Sequence, residues 1–269
     1  MDLNIKNALG YLTFKALDDI PFIRHGFSTR MGGVSSGEFT SLNMSFGRGD
    51  PDENVTENYK RLCEAVGVSF ESLTASSQDH NTFVRKVTKA DRGVGIYRPK
   101  DMMSVDGLIT NEPGVTLVTY FADCTPLMFI DKRTHAIGSS HAGWRGTVGC
   151  IGEKTVNKMK EEFGTDPCDL IVTIGPAIGK CCYEVDDPVA SKVEALGLDT
   201  SKLLFPKGGG KYMLDLLETN KQIIMRAGVP EENIIKSDVC TRCNHDLIWS
   251  HRATGGKRGG MCGVLSIEN

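Results

Sequence analysis

The pattern that most limits the fold is a series of short apolar runs, rich in β-branched and aromatic residues, at 22–28, 83–87, 115–121, 127–131, 136–140, 170–174 and 264–267. Such runs predict strands. Helical spacing interrupts them three times: at Val55, Tyr59, Leu62, Cys63 and Val66; at Val148, Ile151, Thr155, Met159 and Phe163; and at Met213, Leu216, Leu217, Asn220, Ile224 and Ala227. Several consecutive strands between helices argue against regular βαβ alternation. They predict an α/β (α+β) fold, a mixed β-sandwich core with flanking helices. No Pro-rich or charge-block linker and no internal repeat divides the chain, and the densest Gly runs, at 208–210 and 255–260, are short. Residues 1–269 are therefore expected to form a single domain.

Composition narrows the partners. Lys plus Arg number 31 against 34 Asp plus Glu, a formal charge of −3, so nothing in the bulk attracts nucleic acid or an anionic membrane, and any basic site must be local. The most apolar window, 115–130, is interrupted by Asp123 and falls short of the ~20 residues that span a bilayer. Residues 1–6 lack an apolar signal core, which predicts a cytoplasmic location. Nine cysteines, an odd number at about one residue in thirty, lie far below the density of a disulfide scaffold and are expected to be reduced.

Three strong donors follow predicted strands: His80 in Ser77-Gln78-Asp79-His80, Cys124 in Ala122-Asp123-Cys124-Thr125-Pro126-Leu127, and His141 in Ser140-His141-Ala142-Gly143-Trp144-Arg145-Gly146. A thiolate and two imidazoles suit zinc, with copper as the alternative, and leave a fourth position open as catalytic sites do. Spacings of 44 and 17 residues match no local metal motif, so each residue alone also reads as a buried Cys or a His bonded at a strand end. A second Cys-rich segment, Cys240-Thr241-Arg242-Cys243-Asn244-His245 with His251 nearby, suggests a zinc knuckle whose other half is missing. Cys181-Cys182 and Cys63 are expected to pack rather than react.

The surrounding words shift the balance toward the metal. His25-Gly26-Phe27-Ser28-Thr29-Arg30 with Gly32-Gly33, then Ser41-Leu42-Asn43, Ala122-Asp123-Cys124-Thr125-Pro126-Leu127, His141-Ala142-Gly143-Trp144-Arg145-Gly146-Thr147 and Ile174-Gly175-Pro176-Ala177-Ile178-Gly179 occur in order. In this the chain resembles the multicopper-polyphenol-oxidase-like, laccase-domain (YfiH/YlmD-type) family of purine nucleoside phosphorylases, from about residue 22 to the C-terminus. The resemblance implies the fold shared with cytotoxic necrotizing factor toxins. It implies His80, Cys124 and His141 as ligands of a metal, usually zinc, and cleavage of adenosine, inosine and methylthioadenosine by phosphate, paired with adenosine deamination. Two departures stand out. Asp79 replaces a more usual apolar residue, and Ser250-His251-Arg252 is followed by Lys257-Arg258-Gly259-Gly260 instead of Thr-Gly-Arg, so Arg252 and not Arg258 is the expected substrate contact.

Phosphorolysis needs an anion site beside the metal. Arg145, in the first turn of the helix after His141, and Arg30, beside Gly32-Gly33, are the candidate phosphate grips. Asn43 and Gln78 are candidate contacts to base or ribose, and Asp123 is the carboxylate best placed to shuttle a proton or orient Cys124. The expected partners are a purine nucleoside and inorganic phosphate, with the chain a monomer or weak homodimer. Two rival readings remain: a metal-free cysteine hydrolase with Cys124 as nucleophile and His141 as base, and a non-catalytic zinc-binding module built on Cys240 and Cys243. A true multicopper laccase is disfavoured, because six histidines with no His-x-His cannot feed several coppers.

Overall fold

A computed structural model describes residues 1–268. In chain order the elements are β1 (Asp2–Lys6), β2 (Leu9–Thr13), α1 (Lys15–Asp18), β3 (Ile23–Ser28), α2 (Asp52–Val66), β4 (Leu73–Ala75) and β5 (Val84–Lys86). Then come β6 (Gly107–Thr110), β7 (Thr116–Phe121), β8 (Thr125–Asp131), β9 (Ile137–Ala142), α3 (Trp144–Val148), α4 (Ile151–Phe163) and β10 (Leu170–Ile174). The last stretch holds β11 (Glu184–Asp186), α5 (Asp187–Glu194), β12 (Leu204–Gly208), β13 (Lys211–Leu214), α6 (Leu216–Arg226), β14 (Ile234–Lys236), α7 (His251–Thr254) and β15 (Met261–Ile267).

Two six-stranded sheets face each other, ordered β1-β2-β3-β15-β7-β4 and β14-β10-β8-β9-β6-β5, with a small β11-β13-β12 sheet at one side. Phe27, Leu117 and Leu265 of the first sheet interleave with Leu108, Met128, Ile130 and Ile137 of the second. Outside the first sheet α2 packs Tyr59 and Leu62 against Leu73, Val118 and Val264. Outside the second, Ile151, Val156 and Met159 of α4 and Ile224 of α6 cover Leu127, Phe129 and Val172. The result is a helix–sheet–sheet–helix stack. Because β8 is covered on both faces, all seven of its residues are buried and its sequence reads as a continuous apolar run without alternation. No helix among the described residues is long and apolar enough to cross a membrane.

The seven predicted strands fall on β3, β5, β7, β8, β9, β10 and β15. The helix expected over 148–163 is broken at Gly149-Cys150, where Cys150 takes φ 60°, so α3 and α4 are separate. Met213 belongs to β13 and not to the following helix, because Asp215 caps α6 by accepting the Glu218 N–H at 2.9 Å.

Candidate metal centre and cleft

Topology brings the three donors to one sheet edge. β4 lies parallel to β7, so the loop after β4, which carries His80, leaves at the end where β7 also finishes. There Ala122-Asp123-Cys124 turns the chain from β7 of the first sheet into β8 of the second. The start of β8 pairs with the end of β9, with Pro126 opposite His141. Both His80 (φ 69°) and Asp123 (φ 84°) adopt the left-handed backbone that non-glycine residues rarely take.

Asp106, immediately before β6, holds this arrangement. Its carboxylate accepts the backbone N–H groups of Asp79 (3.1 Å), His80 (3.1 Å) and Asn81 (2.9 Å), and meets His141 Nδ1 at 2.7 Å. Nδ1 of His141 is thereby engaged and Nε2 is left for a ligand or a proton. Burial disfavours the Asp106 carboxylate, but the hydrogen bond and charge of His141 and the loop N–H groups overcome it and hold the carboxyl below its ordinary range.

The Cys124 Sγ stands 3.8 Å from His80 Nε2, and donor atoms of His80, Cys124 and His141 all lie within 4.8 Å of one another. A tetrahedral zinc with ordinary Zn–S and Zn–N bonds separates sulfur and nitrogen by about 3.5 Å, so the donor set fits such an ion. Burial opposes a thiolate at Cys124, yet the charge and hydrogen bond of His141, followed by those of His80, bring the thiol down to about 6. Burial likewise opposes the His141 imidazolium, but Cys124 and Asp106 raise it to about 9. Gly143 leaves the space these rings occupy: a Cβ there would lie 2.6 Å from His80 Cδ2 and 3.0 Å from Cys124 Sγ.

A cleft of about 220 Å³ opens over the three donors, and its walls carry Arg48, Lys100 and Arg258 together with Phe46 and Tyr120. No carboxylate lines it among the described residues. The Lys100 ammonium lies 4.9 Å from the Tyr120 ring centre, and the buried Nε of Arg258 has no hydrogen-bond partner. Burial and the neighbouring Arg48 charge push Arg258 down to about 10, against the pull of Asp123 and Cys124, so it stays cationic at neutral pH. Three cations lining one cavity, with the Cys124 thiol as the one acidic group beside them, give it a positive lining that suits an anion.

The structure distributes the other candidates differently from the sequence reading. Gln78 does line the cleft, but its amide is bonded at both ends to the Tyr120 backbone (2.8 and 2.7 Å), tying the His80 loop to β7. Asn43 is fully buried and braces the turn around Ser45, Asp50 and Gly260. Arg30 lies 4.0 Å over the Trp249 ring and donates to the carbonyls of His245 and Thr40, so it is framework and not cleft wall. Arg145 is exposed over Trp144 at 4.4 Å, outside the cleft lining. Asp123 accepts from Thr241 Oγ1 (2.6 Å) and the Arg252 N–H (2.7 Å), engaging both its oxygens. The Arg252 guanidinium turns away to the Glu184 carbonyl, whereas Arg258, passed over in the sequence, lines the cleft because the Gly260 N–H bonds to Asn43 Oδ1 at 2.9 Å and folds that loop inward.

Sequence reasoning missed Asp106, Arg48, Lys100 and the clearance at Gly143. Asp106 carries no motif, since its partners lie 25 to 35 residues away along the chain. It missed a second grouping as well. The half-site thought absent beside Cys240 and Cys243 is supplied by Cys181 and Cys182, with all four thiol sulfurs within 4.8 Å of one another.

Comparison with known proteins agrees with this fold. The chain is 37% identical over 244 residues to the purine nucleoside phosphorylase YlmD of Bacillus subtilis, covering 90% of this chain and 88% of that protein. It is 36% identical over 265 residues to a purine nucleoside phosphorylase of Bacteroides thetaiotaomicron, covering 98% and 97%. The crystal structure of YlmD from Geobacillus stearothermophilus superposes with a TM-score of 0.92 at 36% identity, over 99% of this chain and 98% of that one. The Bacillus licheniformis hypothetical protein YfiH gives the same score at 33% identity, over 99% of both chains. The profile of the family described as multi-copper polyphenol oxidoreductase laccase matches residues 24–268, and the chain belongs to that family.

Proposed function

We propose that the protein is a metal-dependent purine nucleoside phosphorylase acting on adenosine, inosine and methylthioadenosine. The observation that carries this reading is the single cleft in which His80, Cys124 and His141 lie under three cations, Arg48, Lys100 and Arg258. The relatives named as phosphorylases support the same reaction class. Zinc, or copper in its place, would be held by His80, Cys124 and His141 and would act as a Lewis acid toward a substrate oxygen or water.

The remaining work falls to the chain. Arg48, Lys100 and Arg258 bind phosphate and orient one oxygen toward C1′ of the sugar. As that C–O bond forms, the C1′–N9 bond breaks, and its electron pair leaves with the purine, which takes up the proton that the attacking hydrogen phosphate gives up. Phe46 and Tyr120 offer aromatic faces to the base or sugar. Asp106 fixes the His141 ring, and Asp123, engaged by Thr241 and Arg252, orients the Cys124 turn rather than carrying a proton. With a metal bound, His80, Cys124 and His141 would also suit deamination of adenosine, a reaction in which water replaces the C6 amino group and ammonia leaves.

Incubation with each nucleoside, with and without phosphate, tests the reading. Free base that forms only with phosphate supports phosphorolysis, and inosine with ammonia from adenosine supports deamination; neither product under any metal loading overturns both. The Cys124–His141–Asp106 chain, with its lowered thiol and raised imidazole, favours a second reading as a cysteine hydrolase. Activity that survives chelators but not thiol alkylation would select it.

A further inference from the structure

Away from the cleft, the turn after β10 brings Cys181 and Cys182 against the loop that carries Cys240 and Cys243. Cys243 Sγ is 3.6 Å from Cys181 Sγ and 3.5 Å from Cys182 Sγ. The Gly179 N–H donates to Cys240 Sγ at 3.2 Å. Below the thiols, the two segments are joined by the Thr241 N–H to Ala177 carbonyl bond (3.0 Å) and the Ala177–Cys240 bridge.

We infer that Cys181, Cys182, Cys240 and Cys243 form a structural tetrathiolate zinc site, separate from the His80–Cys124–His141 centre. Tetrahedral zinc with Zn–S bonds of about 2.3 Å sets its sulfurs about 3.8 Å apart, close to the spacing here. All nine cysteines are free, and the close sulfur pairs lie well beyond the ~2.05 Å of a disulfide. A four-iron cluster would hold its thiolates considerably further apart. Nor is this a packed apolar thiol group like Cys63 and Cys262, because Cys181 and Cys243 are exposed and Cys182 and Cys240 only half-buried. On binding, the four thiols release their protons to solvent and leave a doubly negative unit. The Gly179 N–H bonded to Cys240, together with Lys180 and Arg242 adjacent in the chain, suits that charge.

The site would clip together the two segments that hold Asp123: the Ile178 N–H donates to its carbonyl (2.9 Å) and Thr241 to its carboxylate (2.6 Å). Its role is thus positioning, one residue from the Cys124 ligand.

Metal analysis of the full chain purified with zinc and reductant tests the inference without an activity assay. Wild type should carry two zinc per chain, and Cys124→Ser and Cys243→Ser one each. Cobalt-loaded Cys124→Ser should show thiolate-to-metal charge transfer and strong tetrahedral visible bands, which Cys181→Ser added to it should abolish. The spectrum of Cys124→Ser by itself needs no change at the four thiols, so poor folding of Cys243→Ser or of the Cys181→Ser double variant does not blunt the test. A single zinc in wild type that Cys124→Ser removes, iron in place of zinc, or a Cys181–Cys243 or Cys182–Cys243 disulfide in zinc-free native protein would overturn the assignment.

Discussion

The Asp106 carboxylate meets His141 Nδ1 at 2.7 Å while accepting three N–H groups from the loop that carries His80, so one buried side chain aims both imidazoles. Asp106→Asn preserves shape but loses charge and part of the acceptor capacity. Metal affinity should fall about 10- to 100-fold, the usual effect of removing a partner behind a ligand. Competition against a chromogenic chelator would measure it; unchanged affinity would remove Asp106 from this role.

Gly143 already has φ −65° and ψ 170°, which alanine adopts freely, so Gly143→Ala tests space alone. The added methyl would sit 2.6 Å from the His80 ring and 3.0 Å from Cys124 Sγ. Zinc at this centre should be lost while the circular dichroism spectrum stays native. Full zinc occupancy in the variant would mean that His80 can swing aside at little cost.

If Arg258 grips phosphate, Arg258→Gln should raise KM for phosphate about 10- to 100-fold, the worth of one charge-assisted hydrogen bond. Zinc content should be unchanged. Arg145→Ala, outside the cleft lining, should shift it far less. Steady-state kinetics at varied phosphate separate the two; the reverse ranking would return the phosphate grip to the helix after His141.

His25 is buried in the sandwich, and its Nε2 accepts the Phe14 N–H at 2.9 Å, a bond only the neutral ring can make. Burial lowers its pKa from 6.5 to about 4. The unfolded chain therefore binds more protons between these values, so the stabilisation is fully present above 6.5 and is lost as pH falls to about 4. The amount is on the order of 3 kcal/mol. His25→Gln, which keeps an acceptor, should flatten the decline of Tm with acid across that window; an identical slope would show that other groups set it.

Much of the sandwich is readable because β7, β8 and β15 are covered on both sides and are built mainly of apolar and β-branched residues, while β9, buried along its whole length, mixes Ile137 and Ala142 with small Gly and Ser residues. β1 is not readable, since four of its five residues are exposed and the strand is held by backbone pairing to β2. Cys124 and His141 stand in distinctive words, but what a neighbouring arginine does depends on contacts far away in sequence. Arg30 beside Gly32-Gly33 looks like a phosphate grip until Trp249 takes its guanidinium face, and Arg258 looks misplaced until Asn43 pulls its loop inward. The cysteine pairs were unreadable for the same reason: each half of the grouping is incomplete, and only the joining of Ala177 to Thr241 completes it.

The donors of the cleft belong to different layers. His80 follows a strand of the first sheet, His141 ends a strand of the second, and Cys124 sits on the crossover between them. An ion held there would work as a strut between the two sheets, resisting their sliding and their separation. Its removal should therefore loosen more than the mouth of the cleft: amide exchange should quicken along β7 and β9 together, and the two sheets should lose their common melting point.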